Sequence, residues 1–449
     1  MTTWTRLSPD RRIGPVTKGM KSGRHMRSKH NPVGLLACTA VLLLALSTQL
    51  SAAPACSGNK ITTTAAGAGQ GQVIRNAAEL SAALRKARGG ETLALAGGNY
   101  GTLKIRATFG KSVTIRSANP KSPACFSKLH LSGVRNIVLD GLVFDYAFTQ
   151  GDKDSFSPFI IKASSDVTIA NSVFDGDYNA GVGHGRGLRI TDSASVSILN
   201  STFRKWWKAI TGGNTSNLIL RGNNIYDVRS DGMAFGGISG LVVEANRLHN
   251  FRGVQGRDHR DMLQIMRSSG LRSTDVVIRD NIFDIGRGDY TQTIFMGSSG
   301  KNMNDPNMRH QNVAIENNVI YNAHVHGISV DGVDNLSIRR NTIIRVRRAE
   351  GGNVSIPRIN VLSSKYVVIE KNVVSSIGGF ENQRDWVVIE NAFVQDESPS
   401  AQGYYDREFI YYATGPKNGY FEYGVRPGGR IHRLDAGSTL VRNYPSSRR

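Results

Sequence analysis

The sequence predicts an all-β fold: a single-stranded parallel β-solenoid, closed at its N-terminal end by one capping helix. Three observations predict it. A short apolar phrase recurs along the chain, an Asn stands at one phase of that phrase, and one amphipathic segment precedes the first copies. Composition sets the bounds. The chain has 449 residues, 39% of them apolar, with 49 Gly and only 13 Pro, which is too apolar and too poor in Pro for a disordered polypeptide. Three Cys in that length exclude a scaffold built on disulfides.

Residues 1–55 read as an address. Arg6, Arg11, Arg12, Lys18, Lys21, Arg24, Arg27 and Lys29 stand against the single Asp10, and the uncharged run from Val33 to Leu50 leads into SAAPAC. A basic region, an apolar core and a small-residue exit make a secretory signal, with Ala53-Pro54-Ala55 favouring cleavage before Cys56. The competing reading is an uncleaved anchor, because 18 apolar residues sit at the short end of a spanning helix. A periplasmic or secreted protein is expected, with no stable membrane insertion once the signal is gone. Cys56 and Cys125 then remain, either paired or as two free thiols. With 56 Lys+Arg against 35 Asp+Glu over the whole chain, the surface suits a polyanion. Nothing matches a nucleic-acid module, so the expected partner is an acidic polysaccharide, met by a monomer.

The phrase is apolar-x-apolar-x-x-Asn-x-apolar. It runs NIVLDGLVF from Asn136, DVTIANSVF from Asp166, SVSILNSTF from Ser195, NLILRGNNI from Asn217 and GLVVEANRL from Gly240, then DVVIRDNIF from Asp275, NVAIENNVI from Asn312, NLSIRRNTI from Asn335 and YVVIEKNVV from Tyr366. Val196 to Leu218 spans 22 residues and Leu218 to Leu241 spans 23. The wider gaps of 35 and 37 residues, Leu241 to Val276 and Val276 to Val313, are one repeat plus an inserted loop. Short β-branched runs at this period require stacked coils, because each coil alone exposes an apolar face and two open strand edges. Asn223, Asn246, Asn281, Asn318, Asn341 and Asn372 share one phase and should form an internal amide ladder, structural rather than catalytic.

Ahead of the coils, Leu80, Ala83, Leu84 and Ala87 share one helical face, Gly89-Gly90 stops that helix, and strands begin at Thr92. This helix, its glycine turn and the GGNYG phrase resemble the start of right-handed parallel β-helix proteins of the chondroitinase B and alginate lyase kind. The resemblance covers roughly Val73 to Phe393 and implies a right-handed parallel β-helix over 56–393. Residues 394–449, rich in Tyr, Gly and Arg and without a period, are then a C-terminal cap or tail, part of it covering the last coil.

On a solenoid, ligands lie along one face made by equivalent strands. Counting back ten residues from each phrase gives Arg186, Lys208, Asp231 and His326. Aligning the longer coils by their apolar strands adds Asp261, a Tyr290/Gln292 step and Arg358. The expected column is therefore Arg186, Lys208, Asp231, Asp261, Tyr290/Gln292, His326, Arg358, with a second file two residues upstream: His184, Trp206, Arg229, His259, His324. Ionisable groups one coil apart shift each other's pKa, and such clusters mark functional sites. Trp206-Trp207 is either core or a sugar-stacking platform.

The densest local signal is Asp258-His259-Arg260-Asp261-Met262-Leu263-Gln264. If Leu263 and Ile265 point inward, Gln264 points out beside the ligand face. The DHRD string resembles the D-P-H-D phrase of mannuronate epimerases, with Arg260 in place of proline. The resemblance implies His259 as a proton-transfer group and Asp258 or Asp261 as its charge partner. A weaker resemblance to polygalacturonase (S-D-G, R-D, V-H-G-I-S-V, R-I-N) implies Asp231 and Asp261 as a hydrolytic pair, although His259-Arg260 breaks the doubled Asp and Asn360 replaces a Lys.

Two chemistries thus compete. Abstraction at carbon 5 of a uronate, leading to β-elimination or epimerisation, needs a base, an acid and a cation that neutralises the adjacent carboxylate. Catalytic candidates are His259, Asp261, Asp231, His326, Tyr290 and Arg358, with Gln264, Lys208, Arg186, Arg309, His324, Trp206 and Gln292 binding substrate. Glycoside hydrolysis needs only two flanking carboxylates. The non-enzyme alternative is a polyanion-binding solenoid, which predicts scattered charges. No cofactor is implied; a calcium ion bridging a uronate carboxylate to Asp231 or Asp261 is the one metal arrangement left open. Carbon-5 chemistry is the expectation.

Overall fold

A computed structural model of the chain describes residues 61–64, 73–254, 258–267, 270–297, 305–346, 355–381, 383–412 and 422–442. The apolar run over 33–50, Cys56 and the last seven residues lie outside them. Cys125 is disulfide-bonded.

The first helix, α1 (Ala77–Lys86), starts where the sequence provides a cap. The Asn76 side chain accepts from the Glu79 N–H at 2.9 Å, and the Glu79 carboxylate accepts in return from the Arg75 N–H at 2.8 Å. Such reciprocal bonds satisfy N–H groups that a helix start otherwise leaves orphaned. Leu80 is buried, with Ala83 and Leu84 packed beside it against the first coils. A left-handed Gly89 (φ 129°) then turns the chain into Thr92–Leu95.

From there the chain winds as a right-handed parallel β-helix whose coils contribute to three rows of strands. Row one includes Arg186–Thr191, Asp261–Met266, Gln292–Met296, His326–Asp331 and Arg358–Leu362. Row two includes the recurring phrases, such as Thr274–Arg279, His310–Glu316 and Val333–Arg339. Two long strands, Lys208–Arg221 and Met233–Glu244, run through the corner without a break, so rows one and two form one 22-stranded sheet. Row three, with short strands such as Thr202–Arg204 and Arg247–His249, is a 12-stranded sheet. Every pairing within these rows is parallel, residue for equivalent residue, as in Leu241↔Val276 and Val276↔Val313.

The corners explain why most of the phrases open on Asn, Asp or Gly. Asn136, Asp166, Asn217, Asp275, Asn312 and Asn335 all have φ between 52° and 63°, the left-handed region that Asn and Asp enter at least cost after Gly. The Asn of the phrase is the amide ladder. The N–H of Asn223, Asn246, Asn281, Asn318, Asn341 and Asn372 each donates to the side-chain oxygen of the next rung at 2.9–3.1 Å, the last to Asn391. Ser201 and Ser172 continue the file toward the N-terminus with hydroxyls. Inside row three, Phe144, Phe174 and Phe203 stack at 4.5 and 4.4 Å between centroids, so the core repeats coil by coil as well.

The C-terminal segment packs on row three, from Ala392 and Val394 of the last coil back toward earlier coils. It lies along the outer side of row three: Ile431, Ala436 and Val441 join a cluster with Val319, Ile344 and Val373, and Ser438 and Thr439 bond to Asn317. The physical reason is an apolar strip there, including Ile285, Tyr321 and Val346, which a lone coil face would leave exposed. Among the described residues, the last row-two strand, Trp386–Ile389, pairs on one side only, and Val387 and Ile389 are exposed.

Candidate active site

The register of row one builds the site. Arg186 pairs with Lys208, Asp261 with Gln292, and His326 with Arg358. Between them Ile210↔Met233, Met233↔Leu263 and Ile294↔Ile328 carry Lys208 onto Asp231, Asp231 onto Asp261, and Gln292 onto His326. The column Arg186, Lys208, Asp231, Asp261, Gln292, His326, Arg358 therefore occupies consecutive coils, spaced by a rise of about 4.8 Å. These residues open their strands, where the chain turns in from row three. The following position faces inward, which is why glycine is needed after Asp231: a Cβ at Gly232 would lie 2.6 Å from the Met262 carbonyl oxygen and 2.7 Å from the Phe251 ring.

At the centre, Asp231 and Asp261 are buried, at 1% and 0% exposure. The Lys208 ammonium is bonded to Asp231 Oδ2, and Asp231 Oδ1 accepts from the Ser230 hydroxyl at 3.2 Å. Asp261 Oδ2 accepts from Gln264 Nε2 at 2.8 Å and faces Nδ1 of His259 at 3.0 Å, while its Oδ1 has no partner among the described residues. His259 itself is 62% exposed. On its far side, Nε2 meets the Gln292 amide nitrogen at 2.9 Å, and the Gln292 oxygen meets Nδ1 of His326 at 2.7 Å. Gln264 thus stands outward beside the trough, between Leu263 and Ile265 in the core.

Two histidines, two coils apart, are pushed in opposite directions. The hydrogen bond to Asp261 raises His259 above its ordinary value, whereas burial and the neighbouring Arg358 and His259 lower His326. Burial raises the Asp261 carboxyl. His324 is pushed down to about 4 by burial and by His326; its Nδ1 accepts the His326 N–H at 3.0 Å, and its ring lies 4.0 Å from that of Tyr290. The Tyr290 hydroxyl is bonded to Ser355 at 3.0 Å. At one end, Trp207 is within cation–π distance of Arg186 (5.5 Å) and Lys208 (5.0 Å). At the other, Arg358 is exposed.

Three expectations fail. Trp206 is fully buried, its indole N–H given to the Phe174 carbonyl at 3.0 Å and its ring stacked on Tyr146; it is core, and the ring at the trough is Trp207. Arg309 is 3% exposed and ion-paired with Asp334 beside row two, because its side chain follows the corner into His310–Glu316 and not row one. The second file is not a surface file. His184 and Arg229 are buried and meet at Asp154, on a loop that covers this side of the coils; only His259 and His324 reach the trough. Asp258, one of two proposed partners of His259, is instead a 4%-exposed partner of Arg229. Asp154 was missed in the sequence because its loop carries no period. Arg260, where the resembled motif has proline, donates to the Tyr290 carbonyl at 2.9 Å and so ties two loops together.

Among the described residues, Asp231, His259 and Asp261 are the one group whose ligand atoms, all within 4.8 Å, could meet at one ion. The Lys208 ammonium and the His259 N–H already serve those carboxylates.

Residues 157–345 match the family described as "Right handed beta helix region". The fold is that of a right-handed parallel β-helix. No curated protein matches the sequence. Among solved structures, an alginate lyase from Paenibacillus sp. str. FPU-7 is similar over 66% of this chain and 98% of its own, at 17% identity and a TM-score of 0.39. The A-module of the Azotobacter vinelandii mannuronan C-5 epimerase is similar over 72% and 93%, at 13% identity and a TM-score of 0.39. A surface adhesin of Streptococcus pneumoniae is similar over 78% and 95%, at 15% identity and a TM-score of 0.40. These are likenesses of fold, shared by proteins with different activities.

Proposed function

We propose that the protein is an exported enzyme acting at carbon 5 of uronate residues in an acidic polysaccharide, as a β-eliminating lyase or an epimerase. The observation that carries this reading is the oppositely perturbed pair His259 and His326, one coil either side of Gln292, with cations at both ends of the same column. Environments that push two titratable groups apart divide the roles of acid and base. His326, favoured neutral, has an outward nitrogen able to take the carbon-5 proton, and Arg358 on the next coil can neutralise the uronate carboxylate that makes that proton acidic. His259, favoured charged by Asp261, can return a proton. Arg186 and Lys208, braced by Trp207, suit the carboxylates of neighbouring sugars.

Hydrolysis is the weaker reading. It places two carboxyl groups on either side of the scissile bond, about 5–5.5 Å or about 6.5–9.5 Å apart. Asp231 and Asp261 are adjacent, within 4.8 Å, and both are buried.

The test is incubation of the mature protein with alginate, polygalacturonate and glucuronan. A lyase forms an unsaturated uronate with new ultraviolet absorbance, and an epimerase exchanges solvent tritium into the polymer without it. New reducing ends with neither signal would mean hydrolysis and would overturn the reading. Silence on every acidic glycan, with binding retained in His259→Ala, would leave a polyanion-binding solenoid.

A further inference from the structure

Rows one and two carry their charges differently. On row two the outward file Arg221, Glu244, Arg279, Glu316, Arg339, Glu370 alternates in sign from coil to coil. Arg221 and Arg279 meet Glu244, and Arg339 meets Glu370, at 2.7–3.3 Å. Opposite charges in register on neighbouring strands attract and like charges repel, so this file neutralises itself.

Row one has no such file on the N-terminal side of Asp231. Its strands there, Thr102–Ile105, Lys128–Ser132, Phe159–Lys162, Arg186–Thr191 and Lys208–Arg221, contain no Asp or Glu. Lys104, Lys128, Lys162, Arg186, Arg189 and Lys208 point outward beside core residues such as Leu103, Leu129, Ile161 and Leu188. Strand register runs Lys104, His130, Ile160, Arg189, Thr211 in one column and sets Lys162 beside Thr191. Lys104, Lys128, Lys162 and Arg189 are exposed, and no side-chain partner of theirs occurs among the described residues. Arg186 keeps a buried Nε without a hydrogen-bond partner among the described residues, and burial and the nearby Arg189 push its guanidinium below its ordinary value. Of the six, Lys208 alone reaches a carboxylate, that of Asp231, where the candidate site begins.

We propose that this face, from Lys104 to Lys208, is a binding track for an acidic polysaccharide, holding the polymer along the solenoid axis on the N-terminal side of the candidate site. Coils rise by about 4.8 Å, so these cations lie close enough to raise one another's energy. A polymer with a carboxylate on each sugar removes that repulsion along its length. An anionic membrane fits less well, because surface binding draws on apolar side chains that enter the lipid. Among the described residues none of the exposed large apolar side chains lies on these strands. The choice of ligand rests on the proposed reading; the track itself requires no turnover.

Binding of the full chain to immobilised alginate and immobilised polygalacturonate, at graded salt, tests it. Lys104→Glu/Lys128→Glu/Lys162→Glu should bind about tenfold or more weakly at low salt, since each exposed ion pair contributes up to about fivefold. The difference from wild type should shrink as salt rises. Lys86→Glu/Lys111→Glu/Lys121→Glu makes the same change of net charge at exposed positions off row one and should bind as the wild type does. The three Lys→Gln changes at 104, 128 and 162 keep the comparison open if the Glu variant does not fold. Unchanged binding in the track variants, or an equal loss in the off-row variant, overturns the proposal. So does a wild type that binds neither polymer, or that binds only phosphatidylglycerol vesicles. A protein that binds through the track and turns over no uronate would sink the proposed activity and leave the track standing; turnover with unchanged binding in the track variants would do the reverse.

Discussion

The backbone N–H of Asp261 points at Oδ1 of Asp231, 3.3 Å away on the preceding coil. Two buried carboxylates at successive turns would repel, and this N–H, the Lys208 ammonium, the Gln264 amide and the His259 imidazole are what make the pair tolerable. Asp261 is therefore the electrostatic hinge between the acidic half of the column and its histidines.

Asp261→Asn removes the negative charge but keeps the shape. The charged form of His259 loses its main support, so its midpoint, read by proton NMR, should fall. On the proposed reading the rate is bell-shaped in pH, its acid limb set by the lowered His326 and its alkaline limb by the raised His259. The variant should move the alkaline limb to lower pH and cut turnover by about 10²-fold or more, the usual scale for a lost acid or base. A full-rate variant with an unmoved alkaline limb would exclude His259 from proton transfer.

Arg186→Ala and Arg358→Ala remove cations from opposite ends of the trough. A hydrogen bond to a charged group contributes about 1.5–3 kcal/mol, so each variant should weaken acidic-oligosaccharide binding by about tenfold or more. Neutral oligosaccharides should be unaffected. Calorimetry at low and high salt checks both, since exposed charges lose their effect as salt rises.

Asn281→Ala cuts the amide ladder at mid-solenoid, orphaning the Asn246 N–H and the Val243 carbonyl. Each buried orphan costs about 1–3 kcal/mol, and urea unfolding should show a loss on that scale. Asn281→Ser should cost less, because Ser201 already serves as a rung with its hydroxyl.

His249, stacked on Tyr226 in row three, is pushed down to about 3 by burial. The unfolded chain therefore binds its proton first as pH falls, and the fold loses stability from the ordinary histidine range down toward pH 3. The slope contributed by one such group approaches about 1.4 kcal/mol per pH unit. Denaturation of wild type and His249→Phe at several pH values isolates it: relative to the variant, the wild type should lose stability as pH falls below neutrality.

The column was legible in the sequence because strand pairing copies chain period into space. Once Leu218, Leu241 and Val276 are known to stack, the residues that open the preceding strands must stack too, inserted loops notwithstanding. What that period does not encode is what covers the coils. Trp206 and Trp207 are neighbours with opposite fates, decided by Tyr146 and Phe159 packing against the first. Arg229 and Arg309 carry the same charge as Arg358, yet Asp154, Asp258 and Asp334 draw them inside. Asp154 lies on a loop without a period, and the repeat gives the places of Asp258 and Asp334 but not the side chains they hold. The same holds for the C-terminal segment, whose docking strip of Val319, Ile344 and Val373 is visible only when coils are assembled.

The left-handed corners have a consequence for how such a protein can change. Bends at Asn217, Asp275 and Asn312 are made within each turn by the local backbone, so neither adjoining turn has to be rebuilt when one is altered. A single turn can be exchanged, or its loop lengthened, while those above and below keep their alignment. On the proposed reading, glycan preference is then open to retuning one rung at a time, by trading the side chain that opens a strand, without refounding the scaffold that carries it.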